Sequence, residues 1–122
     1  MNSERVHFLI DLAIHDGKFP GFAATVDSMV AGTASEPGAL QYEWFLSSDQ
    51  SRCRLLETYT NAAAMQAHMS GPVVQQLVPR LLTFGRIERF EVYGTPDPQS
   101  AAALESMGAV IYRHWSGLPG RR

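Results

Sequence analysis

A single cysteine in 122 residues, Cys53, excludes an internal disulfide framework. In strand-like sequence such a residue reads as a small buried hydrophobe, and a reducing cytoplasm is the compartment it fits. Neither sign of charge dominates, since 10 Lys and Arg against 12 Asp and Glu leave a net charge of −2. The basic residues are scattered apart from Arg121 and Arg122, so no nucleic-acid partner is expected. No apolar run is long enough to span a bilayer, and MNSERVHFLIDLAIHDG lacks the basic start and continuous apolar stretch of a signal peptide. No membrane partner is expected either. The phosphate cradles G-x-G-x-x-G and G-x-x-x-x-G-K-[ST] are missing, as are H-E-x-x-H, C-x-x-C and the G-x-S-x-G elbow. His7 and His15 share a strand but stand roughly 26 Å apart, too far to share a metal. The sequence thus offers no nucleotide, metal or serine-hydrolase signature, and a chain of this length forms one core.

What is present is periodicity. Val6, Phe8, Ile10, Leu12 and Ile14 alternate as in a half-buried first strand. Phe22, Val26, Met29 and Val30 then recur at helical spacing, with Pro20 in a tolerated first-turn position and the helix ending near Gly32. Glu36-Pro37-Gly38 marks a turn. ALQYEWFLS and RCRLLETYT follow as a hairpin around Asp49 and Gln50. Asn61 can cap NAAAMQAHMS, VVQQLVPRLL is a further helical stretch interrupted at Pro79, and GRIERFEVYG is a fourth strand. Strand, helix, strand, strand, helix, strand is the split βαβ order, so the expected fold class is α+β, ferredoxin-like, with a four-stranded antiparallel sheet. The domain is expected over 1–95. Residues 96–122 form an extension, with SAAALESMG a short helix and AVIYRHW a possible extra strand, packed on its own domain or on a partner. The closing SGLPGRR is expected to fray.

If the hairpin turns so that opposed residue numbers sum to about 99, one face collects Leu40, Tyr42, Trp44 and Leu46 with Cys53, Leu55, Glu57 and Tyr59. That face is the more apolar and should carry the helices. Glu57 is its anomaly, because a buried carboxylate is costly unless hydrogen-bonded. Tyr42 or a backbone amide is the expected partner. His68 follows Ala64 by one helical turn and shares its apolar face with Met65. On spacing alone it is either a general base near neutral pH or a buried histidine with one hydrogen bond. Any enzyme built this way offers a dry aromatic pocket and one base, so the substrate must bring most of the reactivity.

Glu36-Pro37-Gly38-Ala39-Leu40 with Tyr42 and Trp44, then Leu56-Glu57-Thr58-Tyr59, then Asn61 to Met65 with Ala67-His68, resemble the antibiotic biosynthesis monooxygenase superfamily over most of residues 5 to 94. The resemblance implies a dimeric α+β barrel. It also implies a cofactor-independent monooxygenase, without metal or flavin, acting with O2 on a small aromatic or quinol-type molecule. His68, Tyr59 and Glu57 match the catalytic positions of the pocket, and Trp44 and Tyr42 would bind substrate. Alternatives are a non-catalytic ligand-binding or stress-response barrel, or a haem-binding or haem-degrading protein. Against haem degradation, the first strand carries no Asn and Tyr59 stands where many relatives have Trp. A homodimer agrees with Phe45, Leu56, Leu9 and Ala13, apolar groups that a single sheet would leave wet.

Overall fold

A computed structural model of the chain describes residues 4–119. Alternation along Val6–Ile14 (β1) buries Val6, Phe8 and Leu12 and turns His7, Leu9 and Asp11 to the opposite side. Such a strand, with much of its backbone and one face out of water, belongs in the middle of a sheet. It lies there, between Arg52–Tyr59 (β3) and Gly85–Tyr93 (β4), in the order β2-β3-β1-β4-β5. Here β2 is Ala39–Leu46 and β5 is Val110–Tyr112.

The first four strands pair antiparallel as the split βαβ order requires. The sheet has five strands rather than four, because β5 joins β4 in parallel through Glu91↔Val110, Val92↔Ile111 and Tyr93↔Tyr112. A parallel neighbour needs a crossover, and Pro98–Ser106 supplies it as a helix. Gly94 (φ +141°) makes the turn into it, where a Cβ would meet the Arg5 carbonyl at 2.8 Å. Ala101 and Leu104 of that helix are buried, so the extension packs on its own sheet. Residues 113–119 have no regular structure, and Trp115 is 95% exposed. Gly120, Arg121 and Arg122 of the closing stretch lie outside the described residues.

The helices cover one face of the sheet. Phe19–Thr33 (α1) starts with Pro20 in its first turn and buries Phe22, Thr25, Met29 and Thr33, whereas Val30, expected inward, is 42% exposed. Ala62–Ser70 (α2) is capped by Asn61, whose Oδ1 accepts from Ala64 N at 2.9 Å, and it buries Met65 and His68. The stretch expected as an interrupted helix is a π-helical turn, Val73–Leu77, followed by a single turn, Val78–Leu81 (α3), with Pro79 at its start. With the crossover helix as α4, these elements enclose a core between helices and sheet. The other side of the sheet stays bare, with Phe45 at 54% exposure, while Leu46, at the end of β2 on the helix side by register, is 47% exposed.

Candidate functional site

The β2–β3 hairpin sets the site. Asp49 Oδ1 accepts from Ser47 Oγ, Ser51 N and Ser51 Oγ at 2.7–3.0 Å, Gln50 takes φ +61°, and Ser47 N donates to Arg52 O, so the loop closes at Ser47 and Arg52. From there the register runs Leu46↔Cys53, Trp44↔Leu55, Tyr42↔Glu57, with every pair summing to 99. It slips between Ala39 and Gln41, where Ala39 and not Leu40 opposes Tyr59. This bulge expels Leu40, expected on the inner face, to 48% exposure.

Glu57 thereby enters the core at 4% exposure, and its partner is not Tyr42. Tyr59, two residues on and on the same face, donates its hydroxyl to Glu57 Oε1. Burial pushes the Glu57 carboxyl up to about 7, against the pull of the Tyr59 hydrogen bond and with a further push from Glu36. Burial also raises the Tyr59 and Tyr42 hydroxyls, as does the nearby Glu57 charge. Cys53 on the same strand is a buried free thiol, pushed up to about 12 mainly by burial.

His68 stands against these groups, its side chain 2% exposed. Its Nε2 is 3.6 Å from Glu57 Oε1 and its Nδ1 is 2.7 Å from Glu36 Oε1. The Tyr59 and Tyr42 rings flank the imidazole with centroids at 5.2 and 5.7 Å. In the sequence Glu36 marks a turn and opens the first family-like stretch, and its contact with His68 depends on a close approach. Gly38 is so near α2 that a Cβ would meet Ala64 Cβ at 2.5 Å, and only a residue without one lets the loop close. The signal was a carboxylate two residues before a glycine that faces Ala64, one turn from His68.

Between sheet and helices lies a cavity of about 240 Å³, and Tyr42, Trp44, Glu57 and His68 all line it. Tyr59 does not. It sits behind Glu57 with 0% exposure, so the direct contact with a ligand expected of it is not available in this geometry. The rest of the wall is aliphatic, methionine and phenylalanine, and no Lys or Arg contributes. Half-exposed Leu82, Ile87 and Met107 mark the mouth. The volume is below the ~300–1,000 Å³ typical of pockets for drug-sized ligands. One carboxylate, Glu57, and no cation line this largely apolar cavity. A larger open depression, about 650 Å³, lies on the bare side around Phe45, Arg52, Arg54 and Leu56, away from this chemistry.

The imidazole nitrogens face different carboxylates, so the three groups do not converge on a point. Among the described residues no cluster of three or more His, Cys, Asp or Glu could hold a metal ion. Of the two ring nitrogens, Nδ1 is taken by Glu36, and Nε2 stands 3.6 Å from Glu57 without a hydrogen bond.

Fold and pocket together define a ferredoxin-like α+β subunit with an enclosed acid–imidazole site between its sheet and helices. The Antibiotic biosynthesis monooxygenase family profile matches residues 5–80, more than half of the chain, and the chain belongs to that family. Its fold is similar to that of MupZ from Pseudomonas fluorescens, with TM-score 0.79 and 20% identity over 97% of this chain and 96% of that one. It is also similar to SnoaB, a cofactor-independent oxygenase from Streptomyces nogalater, with TM-score 0.66 and 16% identity over 77% and 95% of the two chains. Rv0793 from Mycobacterium tuberculosis gives TM-score 0.67 and 19% identity over 76% and 96%. No curated protein sequence matches the chain.

Proposed function

We propose that this protein is a cofactor-independent monooxygenase that uses O2 to oxidise a small, neutral aromatic or quinol-type substrate held between sheet and helices. The observation that carries the reading is a buried imidazole on the wall of an apolar cavity, bracketed by Glu36 and Glu57. Membership of the family and likeness to SnoaB support it. The ring system lies against Trp44 and Tyr42, and His68 takes a proton from a ring CH2 conjugated to a carbonyl, or from the hydroxyl of its aromatic tautomer, to give the same electron-rich anion. The resulting carbanion gives one electron to O2, the two radicals combine, and the proton held by His68 passes to the peroxide. Loss of the second C–H proton with departure of hydroxide leaves a new carbonyl and one water, so CH2 and O2 become C=O and H2O. Glu57, close to neutral pH in its titration, tunes the charge beside the base. Tyr59 acts through Glu57 and is a positioning residue.

We extend the reading to a homodimer formed through the bare sheet face and to a reducing cytoplasm, which the buried free thiol of Cys53 suits. No helix among the described residues is long and apolar enough to cross a membrane. The test is oxygen uptake by the purified protein with a panel of anthrones and quinols. His68→Ala should slow turnover by about 10²–10⁴-fold, the usual worth of a positioned base. No uptake above buffer, or an equal rate in His68→Ala, overturns the reading. Ligand binding that persists in such a protein would instead make it a holding barrel.

A further inference from the structure

Glu36 takes no part in the chemistry assigned to His68, Glu57 and Tyr59, yet it makes the shortest polar contact of the imidazole, 2.7 Å to Nδ1. We infer that Glu36 is a positioning residue: it holds the Nδ1 proton of His68, so that the neutral ring presents its Nε2 lone pair to the cavity side. The inference rests on the reading of His68 as the base.

An ionised carboxylate can only accept, so a neutral imidazole that keeps this bond must carry its proton on Nδ1. Nε2 is then unprotonated and faces the Glu57 side, where the 3.6 Å separation is too long for a hydrogen bond to consume the lone pair. The ring cannot readily exchange its nitrogens, because Tyr59 and Tyr42 flank it. When Nε2 gains a proton the ring becomes a cation, and the Glu36 charge opposite Nδ1 stabilises it. Glu57 and Tyr59 cannot substitute for Glu36. Their hydrogen bond to each other occupies one carboxylate oxygen, and Glu57 lies on the Nε2 side. Glu36 also reaches solvent, its side chain 25% exposed while those of His68 and Glu57 are at 2% and 4%. The backbone holds it there: Glu36 N donates to Thr33 O at 2.9 Å and Ala39 N donates to Glu36 O at 3.1 Å.

The decisive measurement is the ¹⁵N spectrum of the neutral His68 ring, assigned by comparison with His68→Gln. Wild-type protein should show a protonated Nδ1 and a free Nε2. Glu36→Met, which keeps side-chain length but has no acceptor, should shift the population toward the Nε2–H form, and Glu36→Ala serves if the Met variant fails to fold. Turnover should fall by roughly 10²-fold in the same variants, with KM little changed. A wild-type ring protonated on Nε2, or one whose tautomer is unchanged without the carboxylate, overturns the inference. The spectrum needs no substrate, so absence of oxygen uptake would count against the oxygenase reading while leaving the role of Glu36 readable.

Discussion

Glu57 concentrates the residue-scale physics. Its carboxyl titrates at about 7 in the folded chain against an ordinary 4.5, chiefly because it is buried. Between these values the native state holds a proton that the unfolded state has lost, so stability falls as pH rises from about 4.5 to about 7. The loss amounts to about 3 kcal/mol and is complete above that window. Glu57→Gln removes the titration. Urea unfolding at pH 5 and pH 8 should show the wild type losing more stability than the variant between the two, and equal losses would refute the assignment. That Glu57 lies in the core was legible in the sequence, because period two and the hairpin register put it on the face the helices cover. Its partner was not. Tyr42 across the strand pair and Tyr59 two residues along are both neighbours on that face, and only side-chain rotamers choose between them. The same limit hid Glu36, whose contact with His68 spans 32 residues and depends on a loop rather than on a periodic element.

Strands and capped helices were legible because each states its own rule locally: alternation for β1, an Asn side chain at the start of α2, turn residues between β2 and β3. Elements whose form depends on neighbours were not. Pro79 has no N–H to donate one turn back, and the preceding residues form a π-helical turn, a form that accommodates an interrupted ladder. Val73 in that turn packs so near Gly32 that a Cβ there would meet its Cγ2 at 2.6 Å. The parallel placement of β5 likewise follows from where α4 docks, not from VIY itself. The loop from α1 to β2 gives this scale its prediction. Gly38→Ala would place a methyl 2.5 Å from Ala64 Cβ, forcing the loop and α2 apart at a cost of about 1–3 kcal/mol. Because Glu36 and His68 sit on the two parts being separated, the site should loosen with the fold. Adding Ala64→Gly should restore most of the loss in thermal unfolding, and a double variant no better than Gly38→Ala would show that the contact is not limiting.

A five-stranded sheet with helices on one face is half of a layered structure, and the composition of its bare face says what completes it. Phe45, at 54% exposure, sits beside half-buried Leu56, ringed by paired charges. Arg54 Nε donates to Asp11 Oδ1 at 2.6 Å and Nη2 to Oδ2 at 3.0 Å, while Arg52 and Arg86 both reach Glu88. Charges already satisfied within the chain need no ionic partner, so such a face can be covered by another apolar face without stranding ions. Farther along, Tyr112 stacks on Tyr93 and leaves Val110 and Tyr112 about half exposed. The proposed homodimer would meet these conditions, because a two-fold axis would set the same apolar centre and self-satisfied rim of a second copy against this face. Phe45→Asp puts an unpaired carboxylate at the centre of that face and leaves the inner pocket untouched. Sedimentation should then show a dimer for the wild type and a monomer for the variant. Thermal unfolding should depend on protein concentration for the wild type alone, since association stabilises the folded chain by mass action. A variant that sediments as the wild type does, with the same concentration dependence, would mean that the bare face is not where the copies meet.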